Sequence, residues 1–304
     1  VITVVLGLVG ALVFGAADFL GGLSSKRVSA VLTTAVSALA GLVVLLLGTL
    51  LIPGEWSAEA ASWGALSGIT GAVAVFLLYA CLAIGPMSIL SPLTAVVSAV
   101  VPVTWGFLGG ERLGPLAIGA IGLALVAVVL VGFVPEKGAV RPSAKGLAMA
   151  VGSGTLIGTF FILLDQTPDD SGLLPLVLNR GVNATLMFAA FAILLLVGRR
   201  RRPAAAVDAG DDTARAADRV ALRRRAVRTG VTLALACGAL DAAANAVILF
   251  GLRGGELSVM SVLIAMYPAG TILLAAVVLR ERIAPVQWLG LGLALASAGI
   301  LAVA

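Results

Sequence analysis

Gly110-Glu111-Arg112-Leu113-Gly114-Pro115 falls, after a shift of 170 residues, on Arg280-Glu281-Arg282-Ile283-Ala284-Pro285. The register extends both ways. Upstream, Ser88, Ser91 and Leu93 meet Ser258, Ser261 and Leu263; downstream, Gly122-Leu123-Ala124-Leu125 meets Gly292-Leu293-Ala294-Leu295. Identities in alanine and leucine are cheap in this chain, so the weight rests on the Glu-Arg pair and the proline. The match defines an internal repeat.

The chain around these corners is too apolar for water. Of 304 residues 61% are hydrophobic and 12% charged, and the mean hydropathy is +1.15. A soluble domain carries about 25% charged residues, so this one lacks the polar surface to cover a globule. The chain has no histidine, which removes Ser/His/Asp and Cys/His nucleophile systems and histidine metal sites. Cys81 and Cys237 sit in apolar runs and read as packing residues, not as a disulfide framework or a metal site. No cofactor or metal is expected.

A bilayer core of about 30 Å needs about 20 mostly apolar helical residues. Cutting the chain at its charged and Pro/Gly interruptions leaves ten such segments: 1–23, 28–51, 63–84, 86–108, 115–134, 146–164, 173–197, 230–251, 256–279 and 285–304. The expected fold is an all-α integral membrane protein, because isolated spans in lipid must satisfy their backbone internally. A β-barrel is excluded: Ala120 to Val134 is apolar on every face, not alternating. Residues 1–134 form the first five-helix copy and 146–304 the second, the latter interrupted by a basic loop over 198–229. Five is odd, so the second copy enters from the opposite side, as two inverted five-helix repeats. Secondary transporters typically have this architecture, with a site near mid-depth between the halves. Gly64/Gly68 and Gly154/Gly158 have the spacing for close helix contact, although glycine abundance alone also produces such pairs.

The whole chain resembles the drug/metabolite transporter superfamily, EamA type. The resemblance is carried by the corner residues Glu111, Arg112, Pro115, Glu281, Arg282 and Pro285, by the Ala-rich segments after Ser88 and Ser258, and by Phe14-Gly15-Ala16-Ala17-Asp18-Phe19 near the start. It implies a carrier in the bacterial inner (cell) membrane that moves a small organic metabolite or drug. It also implies a cavity lined by the first four helices of each copy, with the fifth and tenth peripheral. Members move amino acids, sugars, nucleotide derivatives and drugs, so the family does not supply the substrate.

Asp18, Arg180 and Asp241 lie well inside the segments, and a charge at the bilayer centre costs about 2.5–3.5 kcal/mol on insertion scales. They therefore face protein or water. Asp241 stands twelve residues before Arg253 and thirteen after Arg228, roughly 18–20 Å from either flank at a helical rise. Asn245 extends its polar stripe, and Asn179, Arg180 and Asn183 form another on the seventh segment. Two acids against one base leave one carboxylate unneutralised, which points to proton coupling. The alternative pairs Arg180 with one aspartate, bonds the other to Asn245, and leaves transport uncoupled.

Pro92 and Pro102 in the fourth segment and Pro268 in the ninth remove backbone bonds at corresponding places, the sequence mark of a transport site. Tyr267 and Tyr79 are candidate substrate contacts, whereas Trp56, Trp63 and Trp105 read as interface anchors. The corner acids and bases are expected to cap helix ends and pair locally.

Ten arginines and four aspartates between Arg199 and Arg228 give a local charge of +6 within a net +5. No nucleic-acid motif accompanies them, and the positive-inside rule or contact with membrane lipid accounts for the run. Seventeen of the twenty Lys/Arg follow odd-numbered segments; charge therefore puts the ends outside, while the resemblance implies cytoplasmic ends. An enzyme using Asp165, Asp169 and Asp170 with Mg²⁺ on a lipid pyrophosphate, and a passive channel, are the competing functions. The first lacks a second acidic motif.

Overall fold

The computed structural model describes residues 1–84, 87–132, 142–200, 213–280 and 282–304. Every regular element among them is helical: α1 (Ile2–Ser25), α2 (Ala30–Gly48), α3 (Ala58–Ile84), α4 (Met87–Leu108), α5 (Pro115–Gly132), α6 (Ala144–Asp165), α7 (Leu174–Arg200), α8 (Thr213–Arg253), α9 (Leu257–Ile264), α10 (Tyr267–Val278) and α11 (Pro285–Val303), with a 3-10 turn at Asp169–Ser171. Nine helical stretches among the described residues are long and apolar enough to cross a membrane, and Pro92–Leu108 is a shorter apolar helix. Their outer surfaces carry Leu46, Phe76, Val126, Leu195, Val277 and Leu295 exposed. Such a surface suits lipid. The chain is an integral membrane protein.

Local chemistry sets the helix ends. Ser29 and Ser143 accept from the N–H groups of Leu32 and Gly146 at the starts of α2 and α6, the usual N-cap device. Pro115 and Pro285 are the first residues of α5 and α11, where a missing N–H costs nothing. The residues that open the two corners, Gly110 and Arg280, both have left-handed backbone, φ 99° and 57°. The repeat register of the sequence thus coincides with a repeated corner geometry.

Two expectations are corrected. First, the basic stretch 198–229 is not simply a loop: α7 runs to Arg200 and α8 begins at Thr213, while residues 201–212 lie outside the described residues. Second, α4 passes through Pro92 and Pro102 as one helix. Both rings are buried, Pro92 facing Gly132 and Pro102 facing Gly158; neither opens a site. The ninth segment, by contrast, is broken into α9 and α10, with Ala265 and Met266 between them and Pro268 in the first turn of α10.

The helix contacts come in matched pairs. α1 lies on α8 and α6 on α3; α2 lies on α8 and α7 on α3; α4 packs on α6 while α10 packs on α1. α5 and α11 pack on each other at the periphery through Ala117, Ala120, Ala124, Ala294 and Ala298. Small residues let the helices touch. A Cβ on Gly64 would stand 2.6 Å from the Pro175 carbonyl oxygen, and one on Gly154 2.7 Å from that of Thr94, so these glycines do serve close contact between α3 and α7 and between α6 and α4.

Hydrogen bonds between chain ends define two faces. On one, Thr3 Oγ1 donates to the Gly254 carbonyl and the Glu55 N–H to that of Asp170. Here lie Glu55, Glu59, Glu111, Asp165, Asp169, Asp170 and Glu256 with Arg112 and Arg253. On the other, Ser24 Oγ donates to the Gly230 carbonyl and Gln287 Nε2 to that of Val131. This basic face carries Lys26, Arg27, Lys145, Arg223, Arg224, Arg225, Arg228, Arg280 and Arg282. α1 starts and α6 ends at the acidic face.

Candidate functional site

A cavity of about 170 Å³ lies within the helical bundle. Its walls come from α1, α2, α3, α4, α6, α7, α8 and the α9–α10 break, and none of its described lining comes from α5 or α11. Toward the basic face it reaches Gly21 and Thr33, each within about a turn of its helix end. Toward the acidic face it is closed. Leu45, Leu164, Leu176, Leu249, Leu252 and Met260 pack together there, all buried.

The acidic-face closure is reinforced by a polar clamp. Arg253 donates from Nη1 to the Gly172 carbonyl (3.0 Å) and from Nη2 to the Pro168 carbonyl (3.1 Å) and Ser171 Oγ (2.8 Å). Its Nε lies 3.9 Å from Asp169 Oδ1. One guanidinium therefore ties the end of α8 to the loop between α6 and α7, whose Gly172 adopts φ 54° against the Pro53–Gly54 backbone.

The polar residues singled out in the sequence converge on the cavity: Asp18, Asn179, Arg180, Asn183, Asp241, Asn245 and Tyr267 all line it. Arg180 and Asp241 form an ion pair, with side chains 12% and 20% exposed. Asn245 Nδ2 donates to the Asp241 carbonyl (2.8 Å) and to its Oδ1 (3.3 Å), so one aspartate holds both partners. Asn179 Nδ2 donates to Ser67 Oγ at 2.9 Å. Asp18 is different. Its side chain is exposed to the cavity, and among the described residues no hydrogen bond or ion pair to it is found.

Close backbone approach places Asp18. A Cβ on Gly15 would collide with the Tyr267 carbonyl oxygen and stand 2.8 Å from the Thr271 N, and Thr271 Oγ1 donates to the Gly15 carbonyl (3.0 Å). α1 is thereby pressed onto α10, just where Pro268 ends the break. The crossing sets the Phe14 ring edge-on to Tyr267, centroids 5.7 Å apart at 66°, one helical turn from Asp18. Phe160 and Phe161 complete the aromatic wall.

Other expectations fall elsewhere. Tyr79 belongs to α3, but its side chain lies outside the described residues, as does Glu281. Trp56 and Trp105 are exposed on the outer surface, away from the cavity lining. Cys237 lines the cavity, and only Cys81 is fully buried. The Glu111 carboxylate pairs with no arginine among the described residues. Instead it accepts from the Ser258 N–H (3.4 Å) and Ser258 hydroxyl, capping α9 across the two halves. Arg112 and Arg282 are exposed. Sequence reasoning missed Arg253 and Ser37; the latter donates to the Ala234 carbonyl at 2.8 Å, where α2 crosses α8 at Gly238. Asp165, Asp169 and Asp170 do not converge: among the described residues no group of three metal-ligating side chains is found.

The helical bundle thus encloses a largely apolar cavity on which a few charged and amide side chains converge. The model of the EamA-like transporter family matches residues 144–303, and the chain belongs to that family, within the drug/metabolite transporter superfamily. No curated protein matches. Among solved structures, one crystal structure is 18% identical over 99% of this chain and 96% of its own, with a TM-score of 0.70, a likeness of fold.

Proposed function

We propose that the chain is a secondary-active transporter that carries a small organic solute through the cavity by alternating access. The observation that carries this reading is a cavity on which Asp18, Asn183, Arg180, Asp241 and Asn245 converge and whose acidic-face end is closed by an apolar cluster and the Arg253 clamp. A closed end argues for a carrier over a continuous pore. Two inverted five-helix halves are supported by the reciprocal helix packing, by the matched corners at Gly110 and Arg280, and by the opposite directions of α1 and α6. Halves related in this way can exchange the roles of open and closed face. The positive-inside rule puts the basic face in the cytoplasm of a bacterial inner membrane.

In this reading Asp18 carries the coupling proton, because Arg180 already neutralises Asp241. Flux in proteoliposomes, with and without a pH gradient, for wild type and Asp18→Asn tests this. Gradient-driven flux in wild type alone is expected. Identical flux in all four cases contradicts the coupling, and absence of saturable flux of any solute from a metabolite panel contradicts the transporter.

A further inference from the structure

We propose that the cavity selects a primary ammonium compound with an apolar, aromatic-sized body, bound through Asp18; this rests on the transporter reading of the same cavity. The charges inside it set the sign. Asp241 and Arg180 cancel as an ion pair, and the Asp18 carboxylate remains. A monovalent cation restores neutrality, whereas an anion would face two carboxylates and a guanidinium already engaged.

The hydrogen-bond inventory narrows the cation. Asn245 spends its Nδ2 on Asp241, and the Oδ1 atoms of Asn245 and Asn183 are buried with no hydrogen-bond partner among the described residues. Buried acceptors without donors cost free energy. These two oxygens lie behind the wall surface, so the charged acceptor that the cavity itself presents is the Asp18 carboxylate, which a charge-assisted N–H donor satisfies. An ammonium brings N–H donors and no acceptor, which a quaternary amine cannot do. The body of the cargo follows from the Phe14 and Tyr267 rings. Phe14 lies one turn before Asp18 on α1, so a group held at the carboxylate projects its attached chain along the aromatic edge, where a cation also gains from the ring faces.

The test is isothermal titration of the purified full-length protein with four ligands of one shape: 2-phenylethylammonium, 2-phenylethanol, 3-phenylpropanoate and phenylalanine. The ammonium compound is expected to bind at least about tenfold more tightly than the other three, the scale of a charge-assisted contact in a desolvated site. Asp18→Asn should remove that preference, and Asp18→Glu should retain part of it. Equal binding of all four, tighter binding of the zwitterion or the anion, or an Asp18→Asn variant of unchanged affinity overturns the proposal. If Asp18→Asn does not fold, the wild-type charge series decides alone. Ammonium binding without flux in proteoliposomes keeps this site and removes the transporter reading. Saturable flux of a neutral or anionic solute, insensitive to Asp18, keeps the transporter and removes the site.

Discussion

The guanidinium of Arg180 on α7 and the carboxylate of Asp241 on α8 form an ion pair in the cavity wall. The pair lies within the membrane-spanning part of both helices, where an uncompensated charge is expensive. It therefore acts first as a structural tie, and its energetic signature is asymmetric.

Removing one partner of a buried pair costs about 3–5 kcal/mol, while replacing both with apolar groups is often neutral. Arg180→Leu or Asp241→Leu alone should markedly lower the thermal midpoint in detergent, and the double variant should recover most of the loss. Additive losses in this double-mutant cycle would mean the pair is not coupled.

Gly15→Val tests the α1–α10 crossing. Three added heavy atoms must displace the Tyr267 carbonyl and the Gly270 backbone, at a cost of about 1–3 kcal/mol by overpacking. The variant should assemble poorly and lose ligand binding. Gly22→Val on the same helix, where a Cβ meets nothing within 4 Å, should behave as wild type. Equal behaviour of the two contradicts the crossing.

The acidic face should respond to pH through Glu256. Partial loss of water and the neighbouring carboxylate of Glu111, to which it hydrogen-bonds, raise its pKa above the usual glutamate value. A raised folded-state pKa means that the group contributes stability at low pH, and that this contribution is lost as pH climbs through the raised value. Glu256→Gln fixes the neutral form, so the variant should be the more stable protein near pH 8 and match wild type near pH 4. The effect is small because Glu256 is exposed. Parallel pH profiles would contradict it.

Much of this was legible in the sequence. Glu-Arg and Pro at a fixed offset located two corners, and the backbone at Gly110 and Arg280 repeats accordingly. The apolar runs located the helices, and depth along them picked out Asp18, Arg180 and Asp241. Partner choice was not legible. That Asp241 takes both Arg180 and Asn245, leaving Asp18 alone, depends on how helices rotate about their axes. Arg253 was hidden because a single arginine at a helix end looks like a solvated flank; its partners are mostly backbone carbonyls, which carry no sequence identity. Pro92 and Pro102 misled for a related reason: a proline whose ring is packed against a neighbouring helix leaves the helix continuous, and of the three prolines Pro268 alone adjoins a break, at Ala265 and Met266.

The most direct test of the account is access to the cavity from each side. A single cysteine at Ser37, with Cys81 and Cys237 changed to alanine, is pulsed with a membrane-impermeant thiol reagent from either face of oriented vesicles. Labelling should be fast from the basic face and slow but measurable from the acidic face. A second protein carrying a pre-formed disulfide between Glu55→Cys and Asp170→Cys, neighbours whose backbones hydrogen-bond across the acidic face (Glu55 N–H to the Asp170 carbonyl, 2.9 Å), should lose acidic-face labelling and keep the other. Acidic-face labelling that survives this latch, or that never occurs in the unlatched protein, would contradict alternating access through this cavity.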